Sequence, residues 1–311
     1  MATPTMRVIH MYRYGGPEQL KLEEQPRPEP SAGEVLVRVH AAGVNPIDWK
    51  IRQGLLKEFQ PVTFPYTPGI ELAGVVEEVG PGVTTFQIGQ AVMGQVASGA
   101  YAEYVTVSVE ALARKPETLS FAEAAAVPVG ATTAWRTLFD HGGLTSGQRA
   151  LIQGAAGGVG LFAVQLAKWK GAQVIGTAST ANLDFVRSLG ADRVVDYTTT
   201  PVESVVQDVD LVLDGVGGET LSSSLATLRR GGALISIAGL PPQEQAQARG
   251  IHAMMSRGGA SASLESFRRL IDEGQLKVTT GKTFPLSEVQ QAHEYGQSSH
   301  GRGRILLRVV E

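Results

Sequence analysis

The first 118 residues alternate short apolar stretches with turns rich in glycine and proline. The clearest alternation is in 34–40, where Val35, Val37 and Val39 occupy every second position. Five such stretches predict strands at 19–23, 34–40, 70–79, 91–94 and 102–107. This pattern is typical of a compact β-rich domain.

From residue 120 the pattern changes to helices and strands in alternation. A Ser-x-x-Glu capping box opens a predicted helix at 120–126, and a second helix is predicted at 131–139. Further on, apolar stretches predict strands at 150–153, 173–177, 193–196, 210–214 and 232–239, with helices at 161–168 and 182–189. Strands and helices in this order predict an α/β fold with a doubly wound parallel sheet, the Rossmann arrangement.

The last predicted elements return to the β-rich domain. Residues 284–293 predict a helix and 304–309 a strand. We therefore expect three segments: residues 1–118 form the β-rich domain, 119–275 the Rossmann domain, and 276–311 return to the first domain.

Composition excludes several classes of function. The 311 residues carry a net charge of −3 and contain no cysteine, which removes disulfides, thiolate catalysis and cysteine-ligated metals. The six histidines lack the spacing of metal ligands, so no metal is expected. We find no basic tract for nucleic acid, no signal sequence and no apolar run of about 18 residues, which predicts a soluble cytoplasmic protein.

The turn after the strand at 150–153 has the features that bind a dinucleotide. Gly157 lets the backbone approach a pyrophosphate, and Gly160 lets the following helix pack closely on the strand. Amide groups of the first helical turn then face the anion. Ala155 stands at the first glycine position of the G-x-G-x-x-G pattern, so the surrounding strands and helices carry the prediction.

The end of the strand at 173–177 favours NADP over NAD. NAD-binding domains place a carboxylate there for the ribose hydroxyls, whereas this chain has Ser179 and Thr180. Their hydroxyl groups can donate to a 2′-phosphate. Ser179 is equally suited to cap the following helix.

In family order, five motifs resemble the medium-chain dehydrogenase/reductase superfamily, and within it the zinc-free quinone and enone oxidoreductases related to zeta-crystallin. The motifs are 43–50, 65–74, 99–104, 155–160 and 188–192. The resemblance implies a GroES-like β domain and a Rossmann domain, with the active site in the cleft between them. Family members commonly form homodimers through the Rossmann domain, so a homodimer is expected.

The resemblance also implies a zinc-independent reaction. Where zinc-dependent relatives have a cysteine and a histidine, this chain has Asn45 and Ile70, although Glu71 is retained. The zinc-free branch transfers a hydride from NADPH to a quinone or to the β carbon of an α,β-unsaturated carbonyl. No membrane or nucleic-acid partner is implied, only this small-molecule substrate.

Cofactor contacts are likewise implied by the resemblance. They are the pyrophosphate turn (Ala156, Gly157, Gly158, Val159, Gly160), the 2′-phosphate residues Ser179 and Thr180 with Asn182 at a family lysine position, Tyr197 beside the adenine, Lys50 from the β domain, and Ala238, Gly239, Arg302 and Gly303 toward the nicotinamide.

Asn45 and Tyr66 are the candidate catalytic residues. The Asn45 amide can donate to a substrate oxygen, and the Tyr66 phenol can protonate an enolate or hydroquinone, as solvent also can. Tyr66 and Tyr101 are candidates to line the cleft, although filling a domain interface is the favoured role for each, as capping a turn is for Asp48. Two alternative functions remain at this point: an enoyl-thioester reductase and a non-catalytic NADPH-binding redox sensor.

Overall fold

A computed structural model describes residues 4–258, 261–298 and 301–310. These residues divide into two compact units. The first unit runs to Val129 and resumes from Val278 and again from Arg304. The second unit is Gly130–Lys277, to which the short segment Gly301–Gly303 is added.

Fifteen strands are found in the described residues. They are β1 (Thr5–His10), β2 (Lys21–Pro26), β3 (Glu34–Val44), β4 (Glu71–Val79), β5 (Ala91–Gln95), β6 (Tyr104–Ser108), β7 (Leu112–Arg114), β8 (Arg149–Gln153), β9 (Gln173–Ala178), β10 (Arg193–Asp196), β11 (Val209–Asp214), β12 (Leu228–Ser236), β13 (His252–Met255), β14 (Thr280–Pro285) and β15 (Arg304–Arg308).

Ten α-helices accompany these strands in the same part of the chain. They are α1 (Pro46–Arg52), α2 (Phe121–Ala125), α3 (Pro128–Trp135), α4 (Gly160–Trp169), α5 (Leu183–Ser188), α6 (Val202–Val205), α7 (Thr220–Thr227), α8 (Gln243–Ala248), α9 (Leu264–Asp272) and α10 (Val289–Ser298).

A seven-stranded sheet forms the first unit, together with the hairpin of β1 and β2. The sheet order is β14-β15-β3-β4-β5-β7, and β6 also pairs with β3. Strands far apart in the chain are neighbours here, because β15 pairs antiparallel with β3. One apolar core lies on this sheet and includes Val37, Leu72 and Leu307, all fully buried. The returning segment thus completes the sheet.

The second unit contains a six-stranded sheet of order β10-β9-β8-β11-β12-β13, in which every pair is parallel. Chain order reverses between β8 and β11, as in the doubly wound Rossmann arrangement, and the carboxyl ends of the strands there border the ligand crevice. The helix α4 follows β8 and is buried from Gly160 to Ala167. The predicted Rossmann fold is confirmed.

Several predicted elements differ from the structure. Residues 284–285 end strand β14, so the predicted helix at 284–293 begins later, as α10. The stretch predicted as a strand at 19–23 starts as a short 3₁₀ turn before β2. The segment predicted as a helix at 131–139 is α3 continued by a π-helical turn, Arg136–His141.

The division between the units also lies later than residue 118. Residues 119–129 belong to the first unit, because α2 packs on β3 and β4 of its sheet. Sequence pattern assigned this helix to the Rossmann domain because composition changes near Pro116, ahead of the point where packing changes.

Candidate functional site

The glycine turn between β8 and α4 is fixed by close backbone packing. Gly154 follows β8 with φ of +72°, a conformation that glycine adopts without strain. A Cβ atom on Gly160 would lie 2.2 Å from the Gly154 carbonyl oxygen and 2.7 Å from the Ala155 Cα. Any side chain at Gly160 would therefore push the helix away from the strand, as the sequence analysis expected.

Free backbone amides line this turn. Among the described residues, the amides of Gly158, Val159 and Gly160 have no hydrogen-bond acceptor, whereas the Gly157 amide donates to Gly154 at 3.0 Å. A Cβ on Gly157 would meet only that carbonyl, at 3.3 Å, so its outer face is open. Three free amides at the start of the ten-residue helix α4 form a cradle for an anion.

The end of β9 carries the predicted 2′-phosphate residues, but their hydroxyl groups differ in availability. Thr180 donates its hydroxyl to the Asp196 carboxylate at 2.6 Å and so has no hydrogen left for a phosphate. Asn182 donates to the Ser179 oxygen at 3.1 Å, which leaves the Ser179 hydroxyl hydrogen free. Ser179 is the stronger candidate of the pair.

Asp196 is a residue that sequence reasoning missed. It ends β10, where it is paired in register with Ala178 at the end of β9. Hydrogen bonds from Thr180 and Thr198 lower the pKa of its carboxyl, which keeps it ionised. The position of β10 beside β9 was the available signal, since adjacent parallel strands end at one edge of the sheet.

Arg302 and Gly303 lie beside the glycine turn. Gly303 donates its amide to the Ala156 carbonyl at 3.0 Å. The Arg302 guanidinium carbon lies 5.6 Å from the centre of the Phe185 ring, in α5. The segment Gly301–Gly303 thus adds the positively charged Arg302 side chain to the second unit.

Two further turns at the carboxyl edge of the sheet touch each other. The fully buried Asp214 carboxylate accepts from the amides of Val216 and Gly217 and so shapes the turn after β11. The Ser236 hydroxyl oxygen accepts from the Ala238 and Gly239 amides at 3.1 Å and shapes the turn after β12. A Cβ on Gly217 would lie 3.0 Å from the Ala238 Cβ, so glycine permits this contact.

One edge of the second unit therefore collects most of the predicted cofactor residues. Tyr197 also lies there, 49% exposed, directly after β10. The residues at this edge are Ala156, Gly157, Gly158, Val159, Gly160, Ser179, Thr180, Asn182, Tyr197, Ala238, Gly239, Arg302 and Gly303. Lys50, Asn45 and Tyr66 belong to the first unit.

In the first unit, helix α1 is held at its start by a local pair of hydrogen bonds. The backbone N–H of Asn45 donates to the Asp48 carboxylate at 2.8 Å, and the backbone N–H of Asp48 donates to the backbone carbonyl of Asn45 at 3.0 Å. Asp48 therefore has the capping role that the sequence suggested. Lys50 lies one turn further on, half-buried.

A buried ion pair joins Glu71, at the start of β4, to Arg304, at the start of β15. The Arg304 Nη2 donates to the Glu71 Oε1 and, at 2.8 Å, to the Asn45 Oδ1. Asn45 Nδ2 donates to the same Glu71 oxygen at 2.8 Å. The other Glu71 oxygen accepts from the Val129 amide at 2.8 Å, so the carboxylate is satisfied on both sides.

Space for this ion pair is provided by Gly43. A Cβ there would lie 2.1 Å from the Glu71 Oε1. Burial lowers the pKa of Arg304 to about 10, so the guanidinium remains charged at neutral pH. From the sequence, Glu71 is identified only as a residue that the family retains, and its partner is not predictable because 233 positions separate Glu71 from Arg304.

Asp48, Tyr101 and His293 form a second buried group. The Tyr101 hydroxyl donates to Asp48 at 2.9 Å and lies 3.4 Å from the His293 Nε2. Burial raises the pKa of the Asp48 carboxyl to about 6 and lowers that of the His293 imidazole to about 3. It also raises the pKa of Tyr101 well above its usual value. Tyr101 is fully buried here, so it is a packing residue of this unit.

The two candidate catalytic residues differ in what they leave free. Asn45 is 2% exposed, and its amide oxygen and one N–H are taken by Arg304 and Glu71. Tyr66 is half-buried, and its backbone pairs with Met11. Burial, helped by the charge of Asp48, raises the pKa of the Tyr66 phenol to about 12, so it stays protonated at neutral pH.

The residues that the structure describes contain no cluster of three or more histidine, cysteine, aspartate and glutamate side chains that could hold a metal ion. None of their helices combines the length and apolar character needed to cross a membrane.

Family models match both units. The model described as the alcohol dehydrogenase GroES-like domain matches residues 31–117, which confirms the predicted GroES-like fold of the first unit. The model described as a zinc-binding dehydrogenase matches residues 189–307.

Similar proteins extend this match to nearly the whole chain. Quinone oxidoreductase of Mus musculus is 33% identical, covering 97% of this chain and 98% of that protein. The solved structure of the quinone oxidoreductase from Coxiella burnetii has a TM-score of 0.90 at 34% identity, covering 99% of this chain and 100% of that chain. The solved structure of CurK enoyl reductase has a TM-score of 0.88 at 28% identity, covering 97% of this chain and 99% of that chain. The chain therefore belongs to the medium-chain dehydrogenase/reductase family of oxidoreductases, among its quinone oxidoreductases.

Proposed function

We propose that this protein is an NADPH-dependent, zinc-independent reductase that transfers a hydride to a quinone or to the β carbon of an α,β-unsaturated carbonyl. The observation that carries the proposal is the glycine turn with its three free amides at the carboxyl edge of the parallel sheet. Family membership supports a pyridine nucleotide as the cofactor that this turn binds.

The residues at the edge of the second unit fit such a cofactor. Gly158, Val159 and Gly160 would hold the pyrophosphate through their amides, and the open face of Gly157 leaves room for it. Ser179 would donate to the 2′-phosphate. When bound, the reduced nicotinamide supplies the hydride.

The donor set around Glu71 does not fit a zinc ion. The Glu71 oxygen that a metal would use accepts from the Arg304 guanidinium and the Asn45 amide. A divalent cation there would face a buried positive charge instead of thiolate or imidazole ligands. Zinc independence is therefore part of the proposal, although one matching family model is described as zinc-binding.

Tyr66 is the residue we propose to act on the acceptor. Reduction of a quinone or enone places negative charge on a carbonyl oxygen, which a hydrogen-bond donor stabilises. The Tyr66 phenol is protonated and half-buried, so it is able to donate to this oxygen. Asn45 has one free N–H, and its two internal hydrogen bonds fix its direction.

A homodimer is proposed by analogy with the family. The strand β13 lies at one edge of the six-stranded sheet. Edge strands present unpaired N–H and C=O groups that a second copy is able to pair. Light scattering after size exclusion would give a mass of one chain or two.

An enoyl-thioester reductase is the second candidate function. The similarity to CurK enoyl reductase favours it, since the hydride step is the same. The two functions differ in the acceptor and are separated by a substrate panel.

The test is the oxidation of NADPH, with NADH in parallel, followed at 340 nm against 9,10-phenanthrenequinone, a simple quinone, 3-buten-2-one and a 2-enoyl-CoA thioester. Turnover of the quinone or the enone with a preference for NADPH is expected. Turnover of the thioester alone would instead establish the second candidate. Tight NADPH binding without turnover of any acceptor would contradict both and favour a redox sensor.

Two variants sharpen this test. Gly157→Asp should abolish NADPH binding, because its carboxylate would face the pyrophosphate. Tyr66→Phe should lower kcat about tenfold and leave NADPH affinity unchanged, because it removes one hydrogen-bond donor, of roughly 1.4 kcal/mol. An unchanged kcat in Tyr66→Phe would assign proton donation to solvent.

A further inference from the structure

The 2′-phosphate region at the end of β9 has a carboxylate but no cation of its own. Residues 177–182 contain no lysine or arginine. Asp196 is held against Thr180 by a 2.6 Å hydrogen bond. A dianionic phosphate bound next to Ser179 would be repelled by this carboxylate unless a positive charge offset it.

Arg302 lies where it is able to offset that charge. Its guanidinium faces the Phe185 ring, 5.6 Å away, and Phe185 is three residues beyond Asn182. The Gly303 amide anchors the same turn to Ala156. The guanidinium therefore lies on the α5 side of the glycine turn, whereas the resemblance suggested the nicotinamide end.

Arg302 is also available to a ligand. The side chain is exposed, and no ion pair of the described residues includes it. The ring contact holds the planar guanidinium without using its N–H donors. Within the described residues its five donors make no hydrogen bond, so they are available to phosphate oxygens, which guanidinium groups bind in pairs.

We propose that Arg302 binds the 2′-phosphate of NADPH and that Asp196 opposes it, so that these two residues set the preference for NADPH over NADH. The inference rests on the proposed pyridine nucleotide site. It assigns Arg302 to the adenosine half of the cofactor.

The test is equilibrium binding by calorimetry of two probes, ADP-ribose and 2′-phospho-ADP-ribose. The probes differ only in the 2′-phosphate and contain no nicotinamide, so no turnover is involved. Arg302→Met keeps an unbranched side chain over Phe185 and removes the charge. Arg269→Met is the matched control, because Arg269 is exposed in the same unit, on α9.

Arg302→Met should weaken 2′-phospho-ADP-ribose about tenfold and leave ADP-ribose within twofold. Asp196→Asn should tighten the phosphorylated probe about threefold or more. Raising the salt concentration should shrink the difference between wild type and Arg302→Met, because exposed charges are screened. Arg269→Met should change neither probe.

Three results would overturn the inference. Equal weakening of both probes would assign Arg302 to the pyrophosphate, and no change in either would return it to the nicotinamide end. A wild-type protein with no preference for the phosphorylated probe would also refute it. In that case, quinone reduction with NADH would show whether the reductase function itself still stands.

Discussion

Main-chain amides form the anion cradle of the second unit, whereas side chains form the polar network of the first. Gly158, Val159 and Gly160 offer free amides whose direction follows from one local turn. Glu71 and Arg304 meet only because β4 and β15 are both part of one sheet. Side chains in a local turn can be substituted while its backbone amides stay in place. In the long-range network, substitution of Glu71 or Arg304 leaves the other residue buried without its ion-pair partner.

The largest effect is expected from breaking the buried ion pair. Arg304→Met leaves the fully buried Glu71 carboxyl without its counter-charge, so the free energy of unfolding should fall by about 3–5 kcal/mol. Urea unfolding measures this. The control is Lys168→Met, which breaks the exposed Lys168–Asp192 pair and should cost less than about 1 kcal/mol. Equal losses would show that burial does not set the strength of these pairs.

The pH dependence of stability should come from two opposed groups of the same network. Asp48 has its pKa raised to about 6, so its contribution is present below about pH 4 and lost as pH rises through 6. His293 has its pKa lowered to about 3, so its contribution is present above about pH 6.5 and lost as pH falls. Between pH 4 and 6 the two slopes should largely cancel.

Asp48→Asn should remove that cancellation. The variant should lose about 2–3 kcal/mol of stability between pH 6 and pH 4 relative to wild type, as measured by urea unfolding at each pH. His293→Gln should show the opposite slope. Parallel profiles for wild type and both variants would contradict the opposed pKa shifts.

The smallest effect is expected in the glycine turn. Gly160→Ala places a Cβ against the backbone of Gly154 and Ala155. This should lower the free energy of unfolding by about 1–3 kcal/mol and should also weaken cofactor binding. Gly157→Ala meets one carbonyl at 3.3 Å and should stay within about 0.5 kcal/mol. Thermal unfolding and cofactor titration check both. Equal costs would mean that the turn adjusts as a whole.

The glycine turn of the second unit is predictable from the sequence, whereas the buried network of the first is not, for a physical reason. The turn at 154–160 and the strands on either side are predictable, because apolar runs and glycine positions act locally. The GroES-like fold was implied by five motifs, each of which acts within its own segment.

Contacts over long distances in the chain escaped prediction. The local pattern identifies Arg304 only as the first residue of an apolar strand, and nothing nearby in the sequence indicates Glu71 as its partner. The pattern likewise identifies Asp196 only as the end of a strand, and it does not indicate that this carboxylate accepts the Thr180 hydroxyl hydrogen. The strand β13 and the helix α1 were missed because His252–Met255 and Pro46–Arg52 have weak local signals.

The separation of Glu71 from Arg304 also has a consequence during synthesis on the ribosome. At about 5–20 residues per second, the 233 residues between them take on the order of ten to fifty seconds to translate. The second unit is almost entirely contiguous in the chain, so its parallel sheet is able to form before β15 emerges. During that interval the residues of β3 that pair with β15, Ala41–Val44, have no partner on that side, and the Glu71 carboxylate lacks its guanidinium.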